Sequence, residues 1–205
     1  MKIYDISPPL DSSIPVWPGD VPFTREQTLR LDRGDSFDLS HMSLSLHTGA
    51  HMDAPSHFLP GAPTIDQVDL RRCVGPVRVV TIGGRREIRP ADLEDRLINM
   101  PPRLLVRSTP TNDFSTFRSE FSYFGAEVAE MLVGQGIVLV GTDAPSIDRF
   151  DDAALPAHRA FGEAGVLILE NLLLNDMPDG DYELIALPLR ISGGEASPVR
   201  AILRE

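Results

Sequence analysis

The chain has 205 residues, 42% hydrophobic and 24% charged, a balance that excludes global disorder. Its 30 Asp and Glu outnumber 19 Lys and Arg, and a net charge of -11 excludes the basic field a nucleic acid or anionic membrane requires. Cys73 is the only cysteine, which excludes an internal disulfide and a cysteine-built zinc module.

In chain order, the stretch of about residues 7–20 is too rich in proline for a regular helix and reads as an extended N-terminal arm. His41–His47 alternates strictly, with Met42, Leu44 and Leu46 on one side, which predicts a half-buried strand. Further strands are predicted at Val77–Ile82, Arg103–Arg107, Ile137–Gly141, Val166–Glu170, Tyr182–Ile191 and Pro198–Leu203. Helices are predicted at Pro90–Ile98, where Pro90 suits the first turn, and at Ala126–Gln135, where Gly136 supplies a stop. Strands outnumber helices, and a helix followed directly by the apolar run Ile137–Gly141 points to α/β layering. The expected fold is one strand-rich α/β domain over residues 1–205, with a mixed central sheet. No apolar run reaches the roughly 18 residues that span a bilayer, and the N-terminus lacks a signal-peptide core. The expectation is a soluble, cytoplasmic protein with no nucleic-acid or membrane partner.

Three of the five histidines, His47, His51 and His57, fall with Asp53 in the eleven residues from His47 to His57. Imidazole and carboxylate are ligands that divalent ions such as zinc accept. In an extended chain residues 47, 51, 53 and 57 share a face, but His47 and Asp53 would stand roughly 20 Å apart. The chain must therefore fold back; Gly49 can supply the unusual backbone and Pro55 can fix the exit. Two distant residues could complete such a site. His158 lies in LPAHR from Leu155, and by itself it reads as a loop histidine. Glu170 ends an apolar run and shares a strand face with Val166 and Ile168, where a carboxylate is costly unless paired with an arginine or a metal. Trp17 offers an aromatic face, for a ligand or for packing of the arm. There is no G-x-S-x-G elbow and no phosphate-binding P-loop. Cys73 is read as a small core residue rather than a nucleophile.

The segment HTGAHMDAPSHF, His47 to Phe58, resembles the signature of the metal-dependent cyclase-like hydrolases. Supporting stretches are YDISPP from Tyr4, PVWPGD from Pro15, GTDAPSID from Gly141, the His158 and Glu170 pair, GDYELIALPL from Gly180 and ASPVRA from Ala196. Within that superfamily, Trp17 and GDYELIALPL tilt the resemblance to the kynurenine formamidase (arylformamidase) branch. The resemblance implies a swivelling β/β/α fold and a homodimer carrying two divalent metals, zinc with manganese as the other candidate. It implies that His47, His51 and Asp53 hold the first metal, that Asp53 and Glu170 bridge to the second, and that His158 completes it. It makes His57 the catalytic acid/base and Trp17 a substrate contact. The implied reaction is hydrolysis of N-formyl-L-kynurenine, in tryptophan degradation. Ala144, Asn171 and the region Thr111–Gly125 depart from the family pattern. The alternatives are a related hydrolase of another amide or a cyclic amide such as isatin, and a metal-binding module without catalysis.

Overall fold

The computed structural model describes residues 1–84, 86–109 and 111–205. Its strands in chain order are β1 (Ile3–Asp5), β2 (Thr24–Leu29), β3 (Leu39–Ser43), β4 (His51–Asp53), β5 (Val74–Thr81), β6 (Glu87–Ile88) and β7 (Arg103–Arg107). They continue with β8 (Tyr123–Phe124), β9 (Leu139–Thr142), β10 (Leu167–Glu170), β11 (Gly180–Ile185), β12 (Ala196–Pro198) and β13 (Ile202–Arg204). The helices are α1 (Pro90–Leu93), α2 (Ala126–Gly134) and α3 (Pro156–Glu163).

Among the described residues, nine strands form one mixed sheet, in the order β1-β13-β11-β5-β7-β9-β10-β4-β12. Its centre, β5-β7-β9-β10, is parallel, and the flanking pairs are antiparallel. The three parallel crossovers carry α1, α2 and α3 in turn. The apolar runs at Arg103–Arg107 and Val166–Glu170 are as the sequence predicts, because both faces of a parallel centre are covered.

Strands β12 and β13 are separated by only residues 199–201, yet seven strand intervals lie between them in the sheet. A flat sheet would set them about 34 Å apart, whereas four residue steps reach at most about 14 Å. The sheet must therefore curl. Its inner face holds one core, including Met52, Val77, Val79, Leu105, Leu139 and Leu169. Its outer face packs Val80, Leu104, Val106, Val140 and Ile168 against Leu93, Leu132 and Phe161 of the helices.

Four expectations need correction. The strand predicted at His41–His47 runs over Leu39–Ser43 and is exposed, with Met42 59% accessible, because among the described residues it pairs only with β2, in a ribbon that no other layer covers. The run Pro198–Leu203 is two strands near opposite ends of the curled sheet. Tyr182–Ile191 is strand only to Ile185, before Pro188, which cannot donate to a ladder. The helix at Pro90–Ile98 is one α-turn to Leu93, followed by a 3-10 turn at Glu94–Arg96. Helix α3 was not expected from the sequence.

Candidate metal-binding active site

The site lies on the outer, helix-bearing face, where β4 pairs with β10. Antiparallel register sets Glu170 opposite His51 and Asp53 opposite Ile168. Alternation along β4 then turns His51 and Asp53 to the face of Glu170 and sends Met52 into the inner core. Gly49, at a φ of +65°, makes the fold-back that brings His47 to this face. A 3-10 turn over Pro55–His57 returns His57 to the same place. Helix α3 brings His158 in from above, so this histidine is helical and not in a loop.

The five ligand-capable residues converge on Asp53. Its Oδ1 lies 3.1 Å from His47 Nδ1 and 3.4 Å from His51 Nε2; its Oδ2 lies 3.4 Å from His158 Nε2. Glu170 spans the same gap, with Oε2 3.4 Å from His51 Nε2 and Oε1 3.3 Å from His158 Nε2. Glu170 thus meets imidazoles and not an arginine. Ligand atoms of His51, Asp53 and Glu170 lie within 4.8 Å of one another, as do those of His47, Asp53 and His57. The second triad includes the histidine that the resemblance makes an acid/base.

These approaches do not satisfy the polar atoms. His51 Nε2 and both Asp53 oxygens are buried with no hydrogen-bond partner. Each such atom costs about 1–3 kcal/mol, and a shared cation would relieve all three. The donor set of imidazoles and carboxylates fits a borderline divalent ion.

The outer partners fix the inner atoms. His51 Nδ1–H donates to the Gly49 carbonyl at 2.9 Å, so Nε2 keeps its lone pair for the site. His158 Nδ1–H donates to Asp148 Oδ2 at 2.7 Å, with the same result. The Ile147 N–H donates to Glu170 Oε1 at 2.8 Å.

Asp148 carries out a second task that sequence reasoning did not assign. The residue before α3, Leu155, is left-handed and gives no side-chain cap. Asp148 instead accepts the Ala157 and His158 backbone N–H groups, each at 2.9 Å. One buried carboxylate therefore starts the helix and orients its histidine. Replacing Asp148 by Asn is expected to weaken metal binding by about 10–100-fold and to destabilise the fold by about 1 kcal/mol through the lost cap. Metal titration and thermal melts check both; unchanged affinity would remove Asp148 from the site.

Electrostatics follow from burial and neighbours. Burial opposes charge on His51, yet Glu170 and Asp53 push its imidazole up to about 9. Burial also opposes charge on His158, and Asp148, Asp53 and Glu170 still lift it well above the usual value. Against its own burial, Asp53 is held well below the carboxylate range by His158 and His47. Burial and the Asp53 charge work against Glu170, but His158 and His51 keep it lowered. The set therefore demands positive charge. His57 differs: desolvation lowers its imidazole more than the Asp53 charge raises it, and His47 and His158 add to the lowering.

His47, His51, His158 and Glu170 floor a cavity of about 430 Å³. Its wall carries Trp17, in ring contact with Phe117 at 5.3 Å and with Phe150 at 5.0 Å. His57 stands over the floor, its ring 4.3 Å from that of His47 and 6.4 Å from that of His158. The segment Thr111–Gly125, unread in the sequence, supplies Asn112, Phe114, Phe117 and Arg118 to the wall. Asn171, another departure from the family pattern, sits at a φ of +57°, which Asn and Gly adopt most readily. Its amino-acid type therefore answers the backbone there.

A family model described as "Putative cyclase" matches residues 4–149. A kynurenine formamidase from Polaromonas naphthalenivorans (strain CJ2) is 42% identical over 206 aligned residues, covering 100% of this chain and 92% of that protein. The solved structure of a predicted metal-dependent hydrolase from Bacillus stearothermophilus superposes with a TM-score of 0.85 at 29% identity, over 98% of this chain and 97% of that one. Isatin hydrolase A from Labrenzia aggregata, bound to benzyl benzoate, gives 0.84 at 26% identity, over 98% and 93%. By these matches and by its buried His/Asp/Glu cluster, the chain belongs to the cyclase family, beside a kynurenine formamidase that it matches from end to end.

Proposed function

We propose that this protein hydrolyses the formamide bond of N-formyl-L-kynurenine, giving L-kynurenine and formate. The observation that carries this reading is one cavity with a ligand-rich floor and an aromatic wall, in a chain 42% identical to a kynurenine formamidase. His47, His51 and Asp53 would hold one divalent ion; Asp53 and Glu170 would bridge to a second, completed by His158. Two ions suit Asp53, whose oxygens face different histidines. A divalent ion there supplies Lewis acidity, which polarises a carbonyl oxygen and acidifies water.

The chain's own groups do the rest. Trp17 and Phe117, with Phe150 packed against both, receive the aniline ring and orient the formamide toward the floor. Desolvation lowers the His57 imidazole from its ordinary value, which favours the neutral, proton-accepting form. It can therefore take a proton from the attacking water and hand it to the leaving aniline nitrogen. An amine leaves poorly as an anion, so that delivery matters most in the second step.

The reading includes zinc, or manganese, as the metal and a homodimer, both carried over from the family resemblance, and it keeps the cytoplasmic location expected from the sequence. It also takes residues 1–205 as one catalytic domain, and its curled sheet with helices on one face as the swivelling β/β/α fold. Among the described residues, no helix is long and apolar enough to cross a membrane. A second reading, ring-opening of a cyclic amide such as isatin, is favoured by the superposition on isatin hydrolase A; the lower identity of that match ranks it second. A metal module without catalysis leaves His57 at the cavity with no task.

The deciding experiment is release of kynurenine from N-formyl-L-kynurenine by metal-loaded and by chelated protein. Chelator-sensitive turnover is expected. Turnover of isatin alone would move the assignment to the second reading. A pH effect accompanies metal loading. In chelated protein the His51 proton is held up to about pH 9, against an ordinary value of 6.5. The stability it confers is complete below 6.5 and is lost as pH rises through about 9. A metal needs the neutral imidazole. Metal affinity is thus expected to rise from pH 6.5 to 9, with proton release on loading at pH 7. Calorimetry in buffers of different ionisation heat checks this; loading without proton release contradicts it.

A further inference from the structure

Outside the metal-ligand cluster, the acidic side chains lining the cavity are Asp20 and Glu195. Among the described lining residues, Arg118 is the one guanidinium or ammonium. It is half-buried, and no carboxylate lies within salt-bridge distance of it among the described residues. That is unusual in a chain with 30 acidic residues against 19 basic ones. Most other arginines either hold a carboxylate or are spent on backbone carbonyls, as Arg103 is.

Arg118 is nevertheless oriented. Its Nη1 donates to Thr109 Oγ1 at 3.3 Å, and that hydroxyl donates onward to the Thr111 carbonyl at 3.2 Å. The Thr109 N–H is bound to the buried Asp143 carboxylate at 3.0 Å, which also accepts from the Ser108 N–H and hydroxyl. One hydrogen bond uses one of five donors and leaves the planar fork available to a ligand. Arg118 lines the same cavity as Phe117 and Trp17, whose rings touch each other.

We propose that Arg118 is the carboxylate clamp of this cavity and selects formanilides that carry an α-amino acid on the ring. The proposal rests on the formamidase reading and narrows it. Away from the metal-ligand cluster, the lining offers Asp20 and Glu195 to an ammonium group and Arg118 alone to a carboxylate. The guanidinium fork matches a carboxylate through two parallel hydrogen bonds. Isatin bears no carboxylate, so the clamp also separates the two candidate substrate classes.

The test compares two substrates with the same ring and formamide: N-formyl-L-kynurenine and 2-formamidoacetophenone, which lacks the amino-acid end. The readout is the ratio of their kcat/KM values in metal-loaded protein. Arg118→Gln is expected to lower that ratio by about 10–100-fold, the worth of a hydrogen bond to a charged group, chiefly through KM. Arg118→Met, which keeps an apolar stem against the wall, carries the same test if the Gln variant does not fold. A ratio unchanged in the variants, while both substrates are cleaved, overturns the clamp alone. A wild-type protein that cleaves neither substrate overturns the formamidase reading and the clamp with it.

Discussion

Asp53→Asn is expected to strip the protein of metal and to lower kcat/KM by on the order of 10³ or more. The size of the effect follows from where the carboxylate sits. Its two oxygens face His47 and His51 on one side and His158 on the other. Asparagine keeps one neutral oxygen and turns an amide N–H₂ toward imidazole nitrogens that must act as ligands. It also removes the negative charge that, with Glu170, draws positive charge into the site. Metal analysis of the purified variant and the formamidase assay together test this. A variant with full metal content and wild-type turnover would sink the dinuclear arrangement.

His57→Ala separates chemistry from metal binding. The variant is expected to keep its metals and to lose about 10²–10⁴-fold in kcat, the usual worth of a positioned acid/base. His57 stands beside His47 over the ligand floor, where it can reach both water and leaving nitrogen. Ligand atoms of His47, Asp53 and His57 also come within 4.8 Å of one another, so a ligand role makes a rival forecast. If metal content drops in step with turnover, His57 is a ligand and the proton belongs to another group. Partial rescue of the variant by added imidazole, with metal unchanged, would mark a proton-transfer role.

The candidate ligand cluster was legible because its core is local in sequence: three histidines and an aspartate within eleven residues, with Gly49 to turn the chain. Glu170 was legible as a charge where an apolar run predicts none. Helix α3 was hidden because its start is fixed by Asp148, several residues upstream, and not by a capping residue next to it. The strand at Leu39–Ser43 has a readable alternation, but alternation does not say which layer covers it, and here none does. The cavity wall was the least legible part. Phe117 and Arg118 reach it because Asn112 is tied to Asn175 and to the Asp143 carbonyl, contacts that span more than thirty residues. Nothing near Phe117 in the sequence announces them.

Strand β4 is three residues long and lies between β10 and β12. So short a strand makes few ladder bonds, and a slip by one residue would exchange its faces. Met52 would then enter the polar site, while His51 and Asp53 would be pressed into the inner apolar core. An ion held jointly by His51, Asp53 and Glu170 would reward a single alignment of β4 with β10, and its loss would then loosen the strand pairing as well as the chemistry.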